Sequence, residues 1–132
     1  MNPTSRNKKH LALLLGGDSL TLALVTMIGF ASHGTLGSAG VRLATTFAPL
    51  VVAWFLVAPF LGLYNLSLSR DLRNLWRPVY AMLIAAPFAA WLRGVLLNES
   101  IIPLFVAVLI AFGALAIFAW RFAYYFLVSR ID

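Results

Sequence analysis

The sequence predicts an all-α protein, a bundle of four transmembrane helices with both termini cytoplasmic. Three observations lead there. Of 132 residues, 62% are hydrophobic and 11% charged, with a mean hydropathy of +0.92. A water-soluble domain of this size has too little interior to hide that much apolar surface, so lipid is the expected solvent. The apolar residues fall into four runs, each long enough at 1.5 Å per residue to cross a hydrocarbon layer of ~30 Å. Finally, most of the Lys and Arg residues gather beside one set of run ends.

Residues 1–10, MNPTSRNKKH, are polar and basic and read as a cytoplasmic tail; residues 11–130 read as a single transmembrane domain. The first span is 11–31, and it carries one charge, Asp18, directly after Gly16 and Gly17. Its flank of Arg6, Lys8 and Lys9 suits a signal peptide. However, the run exceeds the ~7–15 residues of a signal core and Asp18 interrupts it, so a retained signal-anchor is expected. The linker GTLGSAG holds three of the nine glycines, and no helix is expected there. The second span, 43–64, contains Pro49 and Pro59, which should bend it and free carbonyls that neighbouring groups must cover.

In the connection 65–77, Leu68, Leu72, Leu75 and Trp76 fall at helical spacing among Arg70, Arg73 and Arg77. A short amphipathic turn lying on the membrane surface is the expected result. The third span, 78–97, opens on a proline at its first turn, where no amide donor is lost. The polar turn Asn98-Glu99-Ser100 leads into the fourth span, 101–120, whose helix is expected to run on through Arg121, Tyr124 and Tyr125 to Arg130.

Four spans place both termini on the same side as the 65–77 connection. That side collects Arg6, Lys8, Lys9, Arg70, Arg73, Arg77, Arg121 and Arg130, against Arg42 and Arg93 opposite. The asymmetry predicts a cytoplasmic (inner) membrane protein with that side in the cytoplasm. Trp76, Tyr80 and Trp120 fall near the inner interface and Trp91 toward the outer one, as an aromatic belt requires. Basic flanks beside apolar spans touch anionic lipid, so membrane lipid is an expected partner and nucleic acid is not. The absence of cysteine excludes disulfides, thiolate metal sites, a cysteine nucleophile and palmitoyl anchoring.

Asp18 is the first candidate for chemistry. It lies about seven residues, hence ~10 Å, above the inner boundary, where an acid costs roughly 2.5–3.5 kcal/mol to insert. Thr21, Val25 and Gly29 share its helix face, which should point into the bundle. Asp18 and Thr21, with Arg121 at the inner end of span four, form a candidate intramembrane polar site. Two readings stay open: a protonation or cation site, or a structural partner for Arg121 or neighbouring hydroxyls. A bare Asp18–Arg121 pair predicts that exchanging the two charges rescues each single change.

Arg93 lies about 12 Å further along the membrane normal than Asp18, too far for a direct pair. With His33 and Glu99 it forms a candidate outer-side site, able to snorkel to the surface or to hold an anion or lipid headgroup. His10 and His33 are the two histidines, and topology puts them on opposite sides, so one subunit cannot ligate a haem through both. A single axial bond from His33 to a pigment or haem stays open, and the residues specify no cofactor. No metal-ligand spacing, carboxylate cluster, Ser/His/Asp set or phosphate loop is present, and no enzymatic activity is expected.

Helix packing is better encoded. Ala81, Ala85 and Ala89 are spaced four apart in span three, as are Ala86, Ala90 and Gly94. Span four repeats the spacing at Ala107/Ala111 and Ala119/Ala123, and span two at Ala58/Gly62. Small residues four apart let helices approach closely where lipid gives no hydrophobic drive. The spacing alone fits packing within the chain and packing against a partner equally.

Gly17-Asp18 in the first span, His33-Gly34 at its end, Pro87 followed by Arg93, and Trp120-Arg121 closing the fourth resemble a family of small prokaryotic four-span membrane proteins of unknown function. The resemblance covers about residues 10–122. It implies the four-span fold and adds weight to Asp18, His33, Arg93 and Arg121, and it implies no activity. The expected function is that of a non-enzymatic membrane protein working as a subunit or interaction partner, with other membrane subunits or as a homo-oligomer. A small proton- or solute-coupled transporter using Asp18 is the alternative, and a lipid- or pigment-binding module the second.

Overall fold

A computed structural model describes residues 2–32 and 40–131. Among them there is no strand, and five α-helices follow in order: α1 (Pro3–Ser32), α2 (Gly40–Val57), α3 (Leu66–Ser69), α4 (Trp76–Leu97) and α5 (Pro103–Ile131). Short 3₁₀ turns lie at Ala58–Leu61 and Leu72–Asn74. Four segments are long and apolar enough to cross a membrane: Pro3–Gly29, Arg42–Leu61, Leu72–Leu97 and Pro103–Arg130. The fold is the expected four-span helical bundle.

The long helices close into a ring in which α1 packs on α2, α2 on α4, α4 on α5 and α5 back on α1. Its core is formed by Leu22, Leu50, Trp54, Met82, Leu109 and Ile117, with alanines of α2 and α4 between them. Ala81, Ala85, Ala86, Ala89 and Ala90 are all buried, so the small-residue rows of α4 serve packing within the chain, while Gly94 is half-buried near its end. On α5 the pattern is reversed. Ala107, Ala111, Ala119 and Ala123 face outward, and this most apolar span is also the least buried.

Both terminal helices extend beyond the expected spans themselves. Residues 3–10, read as a cytoplasmic tail, are helical and continuous with α1, where the Asn2 carboxamide accepts from Ser5 N–H at 2.9 Å and caps the helix start. His10 is consequently buried on α1. At the other end, α5 begins at Pro103, two residues later than expected, and runs as expected without a break through Arg121 to Ile131. The start of α1 and the end of α5 pack beside the α2–α4 connection, with Leu14, Tyr124 and Val128 clustered against Tyr64, Leu66 and Trp120.

The two prolines of the second span behave differently. Helix α2 continues through Pro49, but it stops at Val57, just before Pro59, where the chain tightens into a 3₁₀ turn. Gly62 then takes a left-handed conformation (φ 73°), and its N–H returns to the carbonyls of Ala58 and Pro59. A Cβ at Gly62 would also push aside the tip of the Leu68 side chain, but it is the left-handed backbone that calls for glycine. This break leaves the Leu61 and Leu63 carbonyls without helical partners. Two arginines cover them, Arg77 at 2.9 Å from Leu61 O and Arg121 at 2.8 Å from Leu63 O.

Candidate functional site

The site is assembled where α1, α2, α5 and the α2–α4 connection meet. Asp18 is fully buried and forms a two-pronged ion pair with Arg121, Nη2 to Oδ2 at 2.6 Å and Nε to Oδ1 at 3.0 Å. The planar fork of arginine matches a carboxylate in this way and holds it in one orientation. Three aromatic side chains complete the carboxylate's surroundings. Trp120 Nε1 donates to Oδ1 at 2.9 Å, while Tyr64 Oη at 2.7 Å and Trp54 Nε1 at 3.1 Å donate to Oδ2.

Gly17 makes this arrangement possible. A Cβ there would overlap the six-membered ring of Trp120, whereas one on Gly16 would meet nothing. The Trp120 ring therefore packs onto α1 at Gly17, beside Asp18. The remaining face of Arg121 is also occupied: Nη1 donates to Leu63 O and lies 3.4 Å from Ser69 Oγ, and the guanidinium sits 5.5 Å from the centre of the Tyr64 ring. Ser69 itself donates to Leu63 O at 2.9 Å. The charges are thus paired with each other; the other lone pairs of Asp18 accept from Trp54, Tyr64 and Trp120, and Arg121 Nη1 donates to the break after α2.

The connection is knitted to itself in the same way. Asn65 caps α3, Asp71 caps the following 3₁₀ turn, and Asn74 donates to Leu68 O at 3.1 Å and accepts from Arg77 Nε at 3.1 Å. Arg77, expected on the membrane surface, turns inward onto Asn74 and Leu61 O because those acceptors are exposed by the helix break. A void of about 10 Å³ lies between Arg77, Arg121 and Ser69. That is room for one water.

The second membrane-crossing segment ends at Leu61 rather than at the expected residue 64, so Tyr64 lies just past it. Burial, and then the adjacent Asp18 carboxylate, push its phenol well above the ordinary tyrosine range, so it remains a donor.

Of the residues singled out in the sequence, Asp18 and Arg121 are brought together and Thr21 is not. The Thr21 hydroxyl donates to Gly17 O at 2.7 Å, closing on its own helix. Arg93 and Glu99 meet at the opposite end, 3.5 Å apart and partly exposed, around the left-handed Asn98 that caps α4. His33 lies outside the described residues. Trp54, Tyr64, Leu63 and Ser69 did not stand out in the sequence as parts of this site. The available signal was the Pro59 break, which announced carbonyls in need of donors.

A saturated carboxylate, a guanidinium bonded at all three nitrogens and enclosing aromatic rings form a closed clamp. Such a clamp can fix helices; it has no free acceptor for a substrate or cation. A family model for proteins of unknown function, DUF3054, matches residues 15–124, and the chain belongs to that family. The matched region takes in Asp18, Trp54, Tyr64 and Arg121, hence the clamp. No curated protein and no solved structure matches the chain.

Proposed function

We propose that this chain is a non-enzymatic protein of the cytoplasmic membrane, with both termini cytoplasmic, that works as a subunit or interaction partner in a membrane complex. The observation that carries this reading is the closure of the clamp. Asp18, the one acid within the first span, accepts five hydrogen bonds and is wholly enclosed. A proton- or cation-coupled carrier needs an acid that can lose these partners and meet solvent, so the transporter reading has less support.

What the molecule offers outward is helix surface. Along α5 the small residues Ala107, Ala111, Ala119 and Ala123 are exposed between Phe112, Phe118 and Phe122, which suits close approach by another membrane helix. The partner is a second copy or a different membrane subunit. Gentle purification at native expression, followed by mass spectrometry of the intact assembly, tests this. Stoichiometric companions or a defined homo-oligomer, weakened by Ala111→Leu, are expected. A monomer without companions, combined with loss of proton or solute uptake in Asp18→Asn, would replace this reading with the transporter one.

A further inference from the structure

A cleft of about 250 Å³ opens at the clamp end of the molecule, between the first turns of α1 and the start of α3. Its walls are Thr4, Asn7, Lys8 and Leu11 on α1, with Tyr64 and Leu66 opposite. The four α1 residues follow an i, i+3, i+4, i+7 pattern and therefore share one face. Along that face the cleft changes character. Its outer part is polar and cationic, with Thr4, Asn7 and Lys8; about 10 Å along the helix axis, toward the bundle, it becomes apolar with Leu11, Leu66 and the Tyr64 ring. No acid lines it.

We infer that this cleft binds an anionic phospholipid, with the headgroup phosphate on Lys8 and its neighbouring Asn7 and Thr4, and the glycerol and first acyl methylenes against Leu11, Leu66 and Tyr64. Charge complementarity selects the phosphate. The order of the lining, polar at the start of α1 and apolar toward the four-span bundle, runs in the same sense as the passage from water into lipid. A free phosphate ion uses only the polar part and leaves the apolar wall unexplained. Tyr64 lines the cleft and its hydroxyl donates to Asp18, so a lipid seated there lies against a member of the clamp. This site stands independently of any companion subunit.

The test uses the full chain in nonionic detergent micelles doped with either phosphatidylglycerol or phosphatidylcholine, with native mass spectrometry reading the lipid retained. Preferential retention of phosphatidylglycerol is expected. Lys8→Gln should lower it about fivefold, the effect of one surface cation on an anionic lipid, while Lys9→Gln, off this face, leaves it unchanged. Leu11→Trp, which fills the cleft without altering charge, should lower retention as much, and circular dichroism checks that each variant is helical. Equal losses from Lys8→Gln and Lys9→Gln would mean diffuse attraction to basic ends and overturn the site. So would equal retention of both lipids, or displacement of phosphatidylglycerol by inorganic phosphate alone.

Discussion

Asp18→Asn keeps the shape of the side chain and removes its charge, which leaves the Arg121 guanidinium enclosed without a counter-ion. Breaking one side of a buried pair costs about 3–5 kcal/mol, and a similar loss is expected from Arg121→Gln. The two together should cost less than their sum, because the double variant encloses no charge. Additive losses in unfolding experiments in detergent would show that the groups do not act as a pair. Exchange of the two charges is not expected to rescue, although a bare pair would allow it. Trp54 and Trp120 aim indole N–H groups at position 18, and a guanidinium there would meet donors. Gly17→Ala should displace Trp120 and lose ~1–3 kcal/mol, with a change in tryptophan fluorescence, whereas Gly16→Ala should gain ~0.5–1 kcal/mol from helix propensity. Equal responses at the two glycines would remove the argument for close approach.

Tyr64 adds a pH dependence with a definite sign. Its pKa is raised by burial and by Asp18, so the fold favours the neutral phenol. The stabilisation is complete below the unfolded value near ~10 and is lost as the pH rises beyond it. On alkaline titration, tyrosinate absorbance should leave at least one of the four tyrosines un-ionised until the helices unfold. Ionisation of all four with the protein still folded would contradict the hydrogen bond to Asp18.

Among the elements, α4 and α5 carry similar small-residue spacing with opposite orientation. Ala85→Leu forces bulk between α4 and its neighbours and should cost ~1–3 kcal/mol. Ala111→Leu lies outside and should leave monomer stability within about 0.5 kcal/mol while weakening association. Similar destabilisation by both would mean that the outward face of α5 is itself a packed surface of the monomer. The sequence showed the existence of these rows, because a spacing of four is a local property. It did not show which row faces inward, because that depends on the partner helix. The same division explains the second span: Pro59 made a break legible, but the arginines that satisfy it come from positions 77 and 121.

For the whole molecule, the ring of helices places the ends of α1 and α5 beside the α2–α4 connection, through contacts of Leu14, Tyr124 and Val128 with Tyr64 and Leu66. The chain has no cysteine, so single cysteines can report topology directly. Cysteines at Ser67 and Ser129 are expected to react with an impermeant maleimide from the same, cytoplasmic, side, and one at Ser100 from the other. Labelling of positions 67 and 129 from opposite sides would refute the four-span crossing.

The sequence by itself determined the number of spans, the helical class and the residue most in need of explanation. Run length, composition and the cost of an acid in lipid are all readable without knowing which helices touch. The sequence offered Arg121 as a partner for Asp18, but only the tertiary structure decided that they pair and what else surrounds the carboxylate. Its donors come from positions 54, 64, 120 and 121, separated from it by 36 to 103 residues, and no periodicity links them. They converge because Gly17 admits the Trp120 ring, and because the turn after Pro59 carries Tyr64 and a bare Leu63 carbonyl to the pair. A charge advertises that it needs partners, but their identity is set by how the helices pack.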